Sequence, residues 1–380
     1  MDPIYFKIIW YGFIAVAAIQ VFYYLFFYSR LAFYKPADAG IAQQDAPPLS
    51  VIICAKNEQR NLKRNLPVVL QQHYLDLMHR PYYEVVVVND NSDDDTAFIL
   101  RDLSPGYPHF RYLDLHQSAK GIPGKKYPLT MGIKSAVNDH LLLTDADCRP
   151  SSANWLPIMA GGFGEGKEIV LGYGAYESRP GLLNKVIRFE TFFSALQYLS
   201  FALAGVPYMG VGRNLAYKKE LFFRHKGFLS HHQLPSGDDD LFINAAANGK
   251  NTRVVIDPEA ITYSTPKTDW GSWFNQKTRH LSVGRHYKPK HKFLLGLFSV
   301  TQFLYYPLLI LALFYHPFLW ITLYVFAARL ILQGIIWRGS LKRLNEQDLF
   351  WYCWLLEIGM CLYYIVFTPA LLRKPRMRWN

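Results

Sequence analysis

The 380-residue chain is short of charge and of cysteine. Charged residues make up only 18% of it, low for a wholly soluble enzyme. Its four cysteines, Cys54, Cys148, Cys353 and Cys361, form no Cys-x-x-Cys pair, which argues against a disulfide framework. Reduced thiols facing the cytosol are the expectation. No Gly-x-Gly-x-x-Gly fingerprint follows the first apolar strand, so a dinucleotide-binding Rossmann domain is disfavoured, and the Walker A pattern is missing too. No zinc module and no stacking-aromatic signature supports a nucleic-acid partner.

What is abundant is apolar surface. Hydrophobic residues are 51% of the chain and aromatics 16%, concentrated towards both ends. The net charge of +12, from 41 basic and 29 acidic residues, gathers beside those ends and suits an anionic membrane surface. Ile8 to Tyr28 is long enough to cross a bilayer and long for the apolar region of a signal peptide, so residues 1–30 are expected to form a retained anchor. Arg30 and Lys35 follow it, which places the next domain in the cytosol. Residues 31–48 form a linker, rich in Pro, Ala and Gln from Pro36 to Pro48.

From Leu49 to Tyr287 strands and helices alternate. Leu49–Ala55, Tyr83–Val88, Phe110–Leu115 and Leu141–Thr144 are near-continuous apolar strands, with helices expected over Asn57–Gln72 and Lys126–Val137. That order predicts an α/β domain with a mostly parallel sheet covered by helices on both faces. Leu182–Ala204 reads either as a core helix or as one lying in the membrane interface, and Trp270–Tyr287 as an amphipathic helix. The last quarter, 293–372, returns to the membrane: a helical hairpin over 293–337, then a segment over 350–372. Positive-inside bias creates a conflict there. If 350–372 crosses, the basic tail Arg373, Lys374, Arg376 and Arg378 ends outside. A full span is nonetheless the expectation, with re-entry or an interfacial position as the alternative.

The chemistry gathers at strand ends. Leu141–Thr144 runs into Asp145-Ala146-Asp147, and alternate side chains at a strand end point to one side, so Asp145 and Asp147 can converge on a hard divalent cation. Such sites lie outside the carboxyl ends of the strands. Further motifs recur in order: Ala55-Lys56-Asn57-Glu58, Val88-Asn89-Asp90-Asn91-Ser92, Gly124-Lys125, Gly237-Asp238-Asp239-Asp240-Leu241 and Gln276-Lys277-Thr278-Arg279-His280. With them the chain resembles glycosyltransferase family 2, in its membrane-bound, inverting, nucleotide-sugar-dependent branch. The likeness covers about Leu49 to Tyr287.

The resemblance implies a GT-A fold flanked by transmembrane helices and a Mg²⁺ or Mn²⁺ ion held by Asp147 and Asp145. It implies a UDP- or GDP-linked sugar bound by Glu58, Asp90 and Lys125, with a lipid or glycan acceptor. Asp238 is expected to be the general base, with Asp239 as the fallback because the run of three aspartates blurs the register. Where family members carry an acid, Gly237 stands here. Gln276 and Arg279 match the motif that closes over acceptor and diphosphate. Its usual final Trp is His280, which weakens a processive-synthase reading. Arg213 and Asn214, in a Gly-rich turn, are further acceptor-site candidates. The expected protein is a multi-pass transferase with a cytosolic catalytic domain, as in a bacterial inner membrane, acting on a lipid-linked or membrane-proximal hydroxyl. The alternatives are a processive polysaccharide synthase subunit and an inactive sugar-nucleotide-binding scaffold.

Overall fold

The computed structural model describes residues 3–36, 46–117 and 121–372. Most of the expected linker and the basic tail after Leu372 lie outside the described residues. A long N-terminal helix, α1 (Pro3–Tyr23), continues through a π-helical turn at Tyr24–Tyr28 into Ser29–Ala32.

The α/β domain is built on strands β1 (Leu49–Ala55), β2 (Tyr83–Asp90), β3 (Phe110–Leu115) and β4 (His140–Asp145). Three-residue strands follow at β5 (Cys148–Pro150), β6 (Ile169–Leu171) and β7 (Gly174–Tyr176). After these come β8 (Leu215–Lys218), β9 (Thr252–Val254) and β10 (Thr262–Ser264). The main sheet has the order β3-β2-β1-β4-β8-β6-β9, and a small sheet the order β5-β10-β7. Strands β1 to β4 are parallel, whereas β8 runs against both β4 and β6. The sheet is therefore mixed and mostly parallel.

Alternation of side chains explains the two layers. Val51, Ile53, Val85, Val87 and Leu142 face one core, shared with α2 (Gln59–Leu70). Ile52, Cys54, Val86, Val88, Leu141 and Leu143 face the other, with α3 (Lys126–Ser135) and α4 (Leu182–Leu203). Helix α2 starts later than Asn57 because Asn57 sits at φ 57, outside helical space. Every aromatic side chain of α4 is buried, and Phe201 stacks on Phe27 with ring centroids 4.2 Å apart. So α4 is a core helix that ties the sheet to the membrane helices.

Helices α5 (Asp240–Ala246) and α6 (Trp270–Leu281) complete the domain. The amphipathic helix expected to reach Tyr287 ends at Leu281 and gives way to a single 3-10 turn, Gly284–His286. Then come α7 (Pro289–Leu313), α8 (Leu319–Arg343) and α9 (Phe350–Leu372). Among the described residues four helices are long and apolar enough to cross a membrane: Ile4–Ala32, Pro289–Leu313, His316–Arg343 and Gln347–Pro369.

Candidate active site

Strand β4 delivers Asp145 to the sheet edge, and the turn into β5 brings Asp147 beside it. Carboxylate oxygens of both, with the Cys148 sulfur, lie within 4.8 Å of one another. Asp147 is held from two sides: the Ser264 hydroxyl donates to Oδ2 at 2.7 Å and the Cys148 thiol to Oδ1 at 3.4 Å. Burial, reinforced by the two aspartates, keeps that thiol protonated, so Cys148 orients Asp147 instead of offering a thiolate. Burial and the neighbouring Asp145 also push the Asp147 carboxyl up. Asp145 behaves oppositely. Burial works against its ionisation, but the Lys125 ammonium paired with it prevails and holds it below the usual range. Two convergent carboxylates, one already neutralised by a lysine and one not, fit a hard divalent cation.

Facing them is the loop into α5. Asp239 caps this helix: its Oδ1 accepts from the Asp240 amide at 2.8 Å and its Oδ2 from the Gly212 amide at 2.7 Å. Burial and adjacent Asp238 push Asp239 up to about 6. Asp240 is occupied too, accepting from the Tyr287 hydroxyl at 2.9 Å and the Leu241 amide at 2.8 Å. Among the described residues no hydrogen bond occupies Asp238, which lines the cavity. Of the three aspartates it is the one free to meet a substrate hydroxyl.

The loop is stitched to α3. Lys126, only 1% exposed, donates from Nζ to the carbonyls of Leu234 at 2.6 Å and Ser236 at 2.7 Å. A Cβ at Gly124 would come within 2.5 Å of the Pro235 carbonyl oxygen. Gly237 has a local reason of its own. Its φ of +93 suits glycine, and a Cβ would fall 2.8 Å from the Leu241 side chain, so the acid of the family pattern has no room.

Cations close the remaining sides. Arg213 lies over the Tyr176 ring at 4.3 Å and donates to the Ala175 carbonyl at 3.2 Å. From α6 come Gln276, which reaches the Tyr176 hydroxyl at 3.4 Å, then Arg279 and His280. Lys277 is paired with Glu190 of α4. Glu58, at the end of β1, accepts from Asn61 at 2.6 Å, and burial raises its carboxyl. Together these residues enclose a cavity of about 670 Å³.

Ten of the twelve expected site residues line this one cavity: Glu58, Lys125, Asp145, Asp147, Arg213, Asp238, Asp239, Gln276, Arg279 and His280. Two do not. Asp90 ends β2 behind the wall, 5% exposed, with Lys56 at 3.8 Å. Asn214 is fully buried, its amide donating to the carbonyls of Tyr173 and Ala260 and accepting from the Trp155 ring nitrogen. It braces strands and cannot reach an acceptor. Sequence reasoning missed Lys126, Tyr176 and Ser264. The adjacency of Lys126 to the Gly124-Lys125 pair was a usable signal, whereas a serine in a three-residue strand offers none.

The family model for glycosyl transferase family 2 matches residues 50–223. "Probable glycosyltransferase YdaM" of Bacillus subtilis (strain 168) is 25% identical over 245 residues, covering 62% of this chain and 55% of that protein. A "Poly-beta-1,6-N-acetyl-D-glucosamine synthase" of Staphylococcus epidermidis is 28% identical over 124 residues, covering 33% of this chain and 27% of that one. The chain thus spans about half the length, or less, of these relatives. Among solved structures, a mannosyltransferase from Pyrobaculum calidifontis in complex with GDP-Man and Mn²⁺ superposes with a TM-score of 0.56 at 18% identity. That match covers 93% of this chain and 99% of the other, and it shows a common fold.

Proposed function

We propose that this chain, whose residues 50–223 match the model of glycosyl transferase family 2, is a glycosyltransferase that moves a sugar, with inversion, from a nucleoside-diphosphate sugar to a hydroxyl presented at the membrane. The observation that carries this is the single cavity in which Asp145 and Asp147 face the unoccupied carboxylate of Asp238. Asp238 takes the proton of the acceptor hydroxyl as that oxygen attacks the anomeric carbon. One displacement opposite the leaving diphosphate inverts the centre, and no carboxylate nucleophile is needed. Asp239 holds the loop and the Gly212 amide, a positioning role. Lys125, Arg213 and Arg279 supply positive charge for the departing diphosphate, Arg279 through a forked guanidinium. A Mg²⁺ or Mn²⁺ ion on Asp147 and Asp145 would add Lewis-acid stabilisation of the same leaving group. Glu58 is the carboxylate placed to accept from the nucleoside. Gln276 and His280 sit where the acceptor would enter.

The membrane-side acceptor has its own support. The cavity wall includes Lys292 and Leu295 of α7 beside Arg285. Among the described residues no ion pair engages Arg279, Arg285 or Lys292, so this end carries uncompensated positive charge. That suits a lipid-linked or headgroup-bearing acceptor. A processive synthase is the second reading, favoured by the partial likeness to the poly-N-acetylglucosamine synthase.

The test is nucleoside-diphosphate release in lipid across a panel of UDP- and GDP-sugars, then again with membrane lipid extracts. We expect one donor to be consumed, with EDTA, Asp147→Asn or Asp238→Asn each abolishing turnover. Unchanged turnover in Asp238→Asn would remove the base assignment, and full-rate release in EDTA would remove the ion. A product that lengthens with time without leaving the enzyme would favour the processive reading.

A further inference from the structure

Helices α7 and α8 leave the catalytic domain. Their far ends pack against one another and against the start of α1: Tyr315 against Phe6, Phe318 on Trp10 at 4.4 Å, and Thr322 accepting from Trp10 at 3.0 Å. Further back, Gln20 reaches Thr301 and the Tyr23 hydroxyl reaches the Leu294 carbonyl, so α1 and α7 run antiparallel along their length. These three helices behave as crossings should.

Helix α9 does not. At its beginning Asp348 takes both terminal nitrogens of Arg188 of α4, at 2.6 and 2.7 Å, and Lys185 of α4 sits 3.4 Å over the Tyr352 ring. Fifteen residues later, about 22 Å along a helix axis, Phe367 is still on the catalytic domain. It stacks on Phe274 of α6 at 4.9 Å and meets Trp273 edge-on at 5.8 Å, and both Phe367 and Trp273 are buried. Tyr363 joins the same cluster, which includes Ile187 and Leu183 of α4. A helix crossing a hydrocarbon core about 30 Å thick would carry Phe367 away from α4 and α6.

The outer face agrees. Trp351, Leu355, Ile358, Leu362 and Ile365 recur at helical spacing and are 50–79% exposed. The inner face, by contrast, buries Cys353, Glu357 and Met360. With protein on one side and this stripe on the other, the helix is apolar all round without having to cross.

We infer that α9 lies along the membrane on the catalytic side, its outer stripe seated in the boundary between headgroups and acyl chains. The chain then crosses three times, not four, and α9 ends on the side of the active site. This replaces the expected span of 350–372 with an in-plane helix on the side that carries Arg30, Arg338 and Lys342. It also gives the enzyme a lipid-facing floor directly beneath α6, the helix that carries Gln276 and Arg279.

An epitope appended after Asn380 decides the matter, read in right-side-out and inside-out vesicles beside a second epitope in the turn at His316. Donor turnover by each tagged protein marks the catalytic side and shows that it is folded. The expected result is that the Asn380 epitope is exposed together with the active site and the His316 epitope opposite to it. Exposure of both epitopes on the face away from the active site would overturn the inference. Should either epitope abolish turnover, Asn380→Cys takes its place, labelled by a membrane-impermeant maleimide against the wild-type background of native thiols. Labelling from the catalytic face supports an in-plane α9, and labelling from the other face refutes it.

Discussion

Asp239 holds a proton more tightly folded than unfolded. Its carboxyl is pushed up to about 6 from an ordinary 3.8, by burial first and by Asp238 second. A raised carboxyl favours the folded state while protonated, so its contribution is full below about pH 4 and is lost as pH rises through about 6. Measured without donor or divalent ion, the thermal midpoint of wild type should therefore fall between these limits relative to Asp239→Asn. Parallel curves for the two proteins would mean that Asp239 is not perturbed in solution. Asp238 differs because no hydrogen bond holds its side chain, so Asp238→Asn should leave the protein folded while lowering kcat on the order of 10²- to 10⁴-fold. These three neighbouring aspartates looked alike in the sequence. Only their partners, Gly212 for one, Tyr287 for another and none for the third, tell them apart.

At the scale of elements, the active site is a junction between α3 and the loop into α5. Lys126 spans it with two hydrogen bonds to loop carbonyls. Lys126→Met keeps the apolar stem and removes both bonds. Misplacing a catalytic group by about 1 Å can cost on the order of 100-fold in rate, so kcat should fall between about tenfold and that limit while the donor KM changes little. A rise in KM with normal kcat would assign Lys126 to donor binding instead. The sheet itself is less delicate but less forgiving of lost volume: Leu143→Ala should destabilise by about 2–5 kcal/mol in a denaturation experiment, because Leu143 is 3% exposed in the core that joins sheet to membrane helices. The strands were legible because each buries a continuous apolar run. The three-residue strands β5, β7 and β10 were not, since they are held by pairing with distant partners and carry no periodicity of their own.

For the molecule as a whole, the membrane helices and the catalytic domain share one core, in which Tyr23, Phe27 and Trp337 pack with Ile52 and Val88. Within the bundle Arg329 and Glu357 pair at 2.7 Å, both essentially inaccessible, and the Tyr306 hydroxyl donates to Glu357 at 2.5 Å. Removing one partner of a buried pair strands the other and costs about 3–5 kcal/mol, whereas replacing both by apolar residues is often near neutral. Glu357→Met should thus lower the thermal midpoint sharply, and Arg329→Met combined with it should recover most of the loss. Equal loss in single and double variants would show that the pair itself, and not an uncompensated charge, holds α8 to α9.

The sequence by itself determined the class of fold, the likeness to glycosyl transferase family 2 and most of the cavity wall. Those depend on local features: apolar runs that must be buried, and acids placed where a strand stops. Tertiary structure decided which acid is free, that Asn214 braces strands, that Asp90 stays behind the wall, and that the end of α9 packs on α6. Each of these depends on which distant groups meet, as when the Gly212 amide takes Asp239 or Phe274 takes Phe367. Apolar length says that a helix avoids water. Whether lipid or protein receives each of its faces is settled by contacts that no stretch of sequence contains.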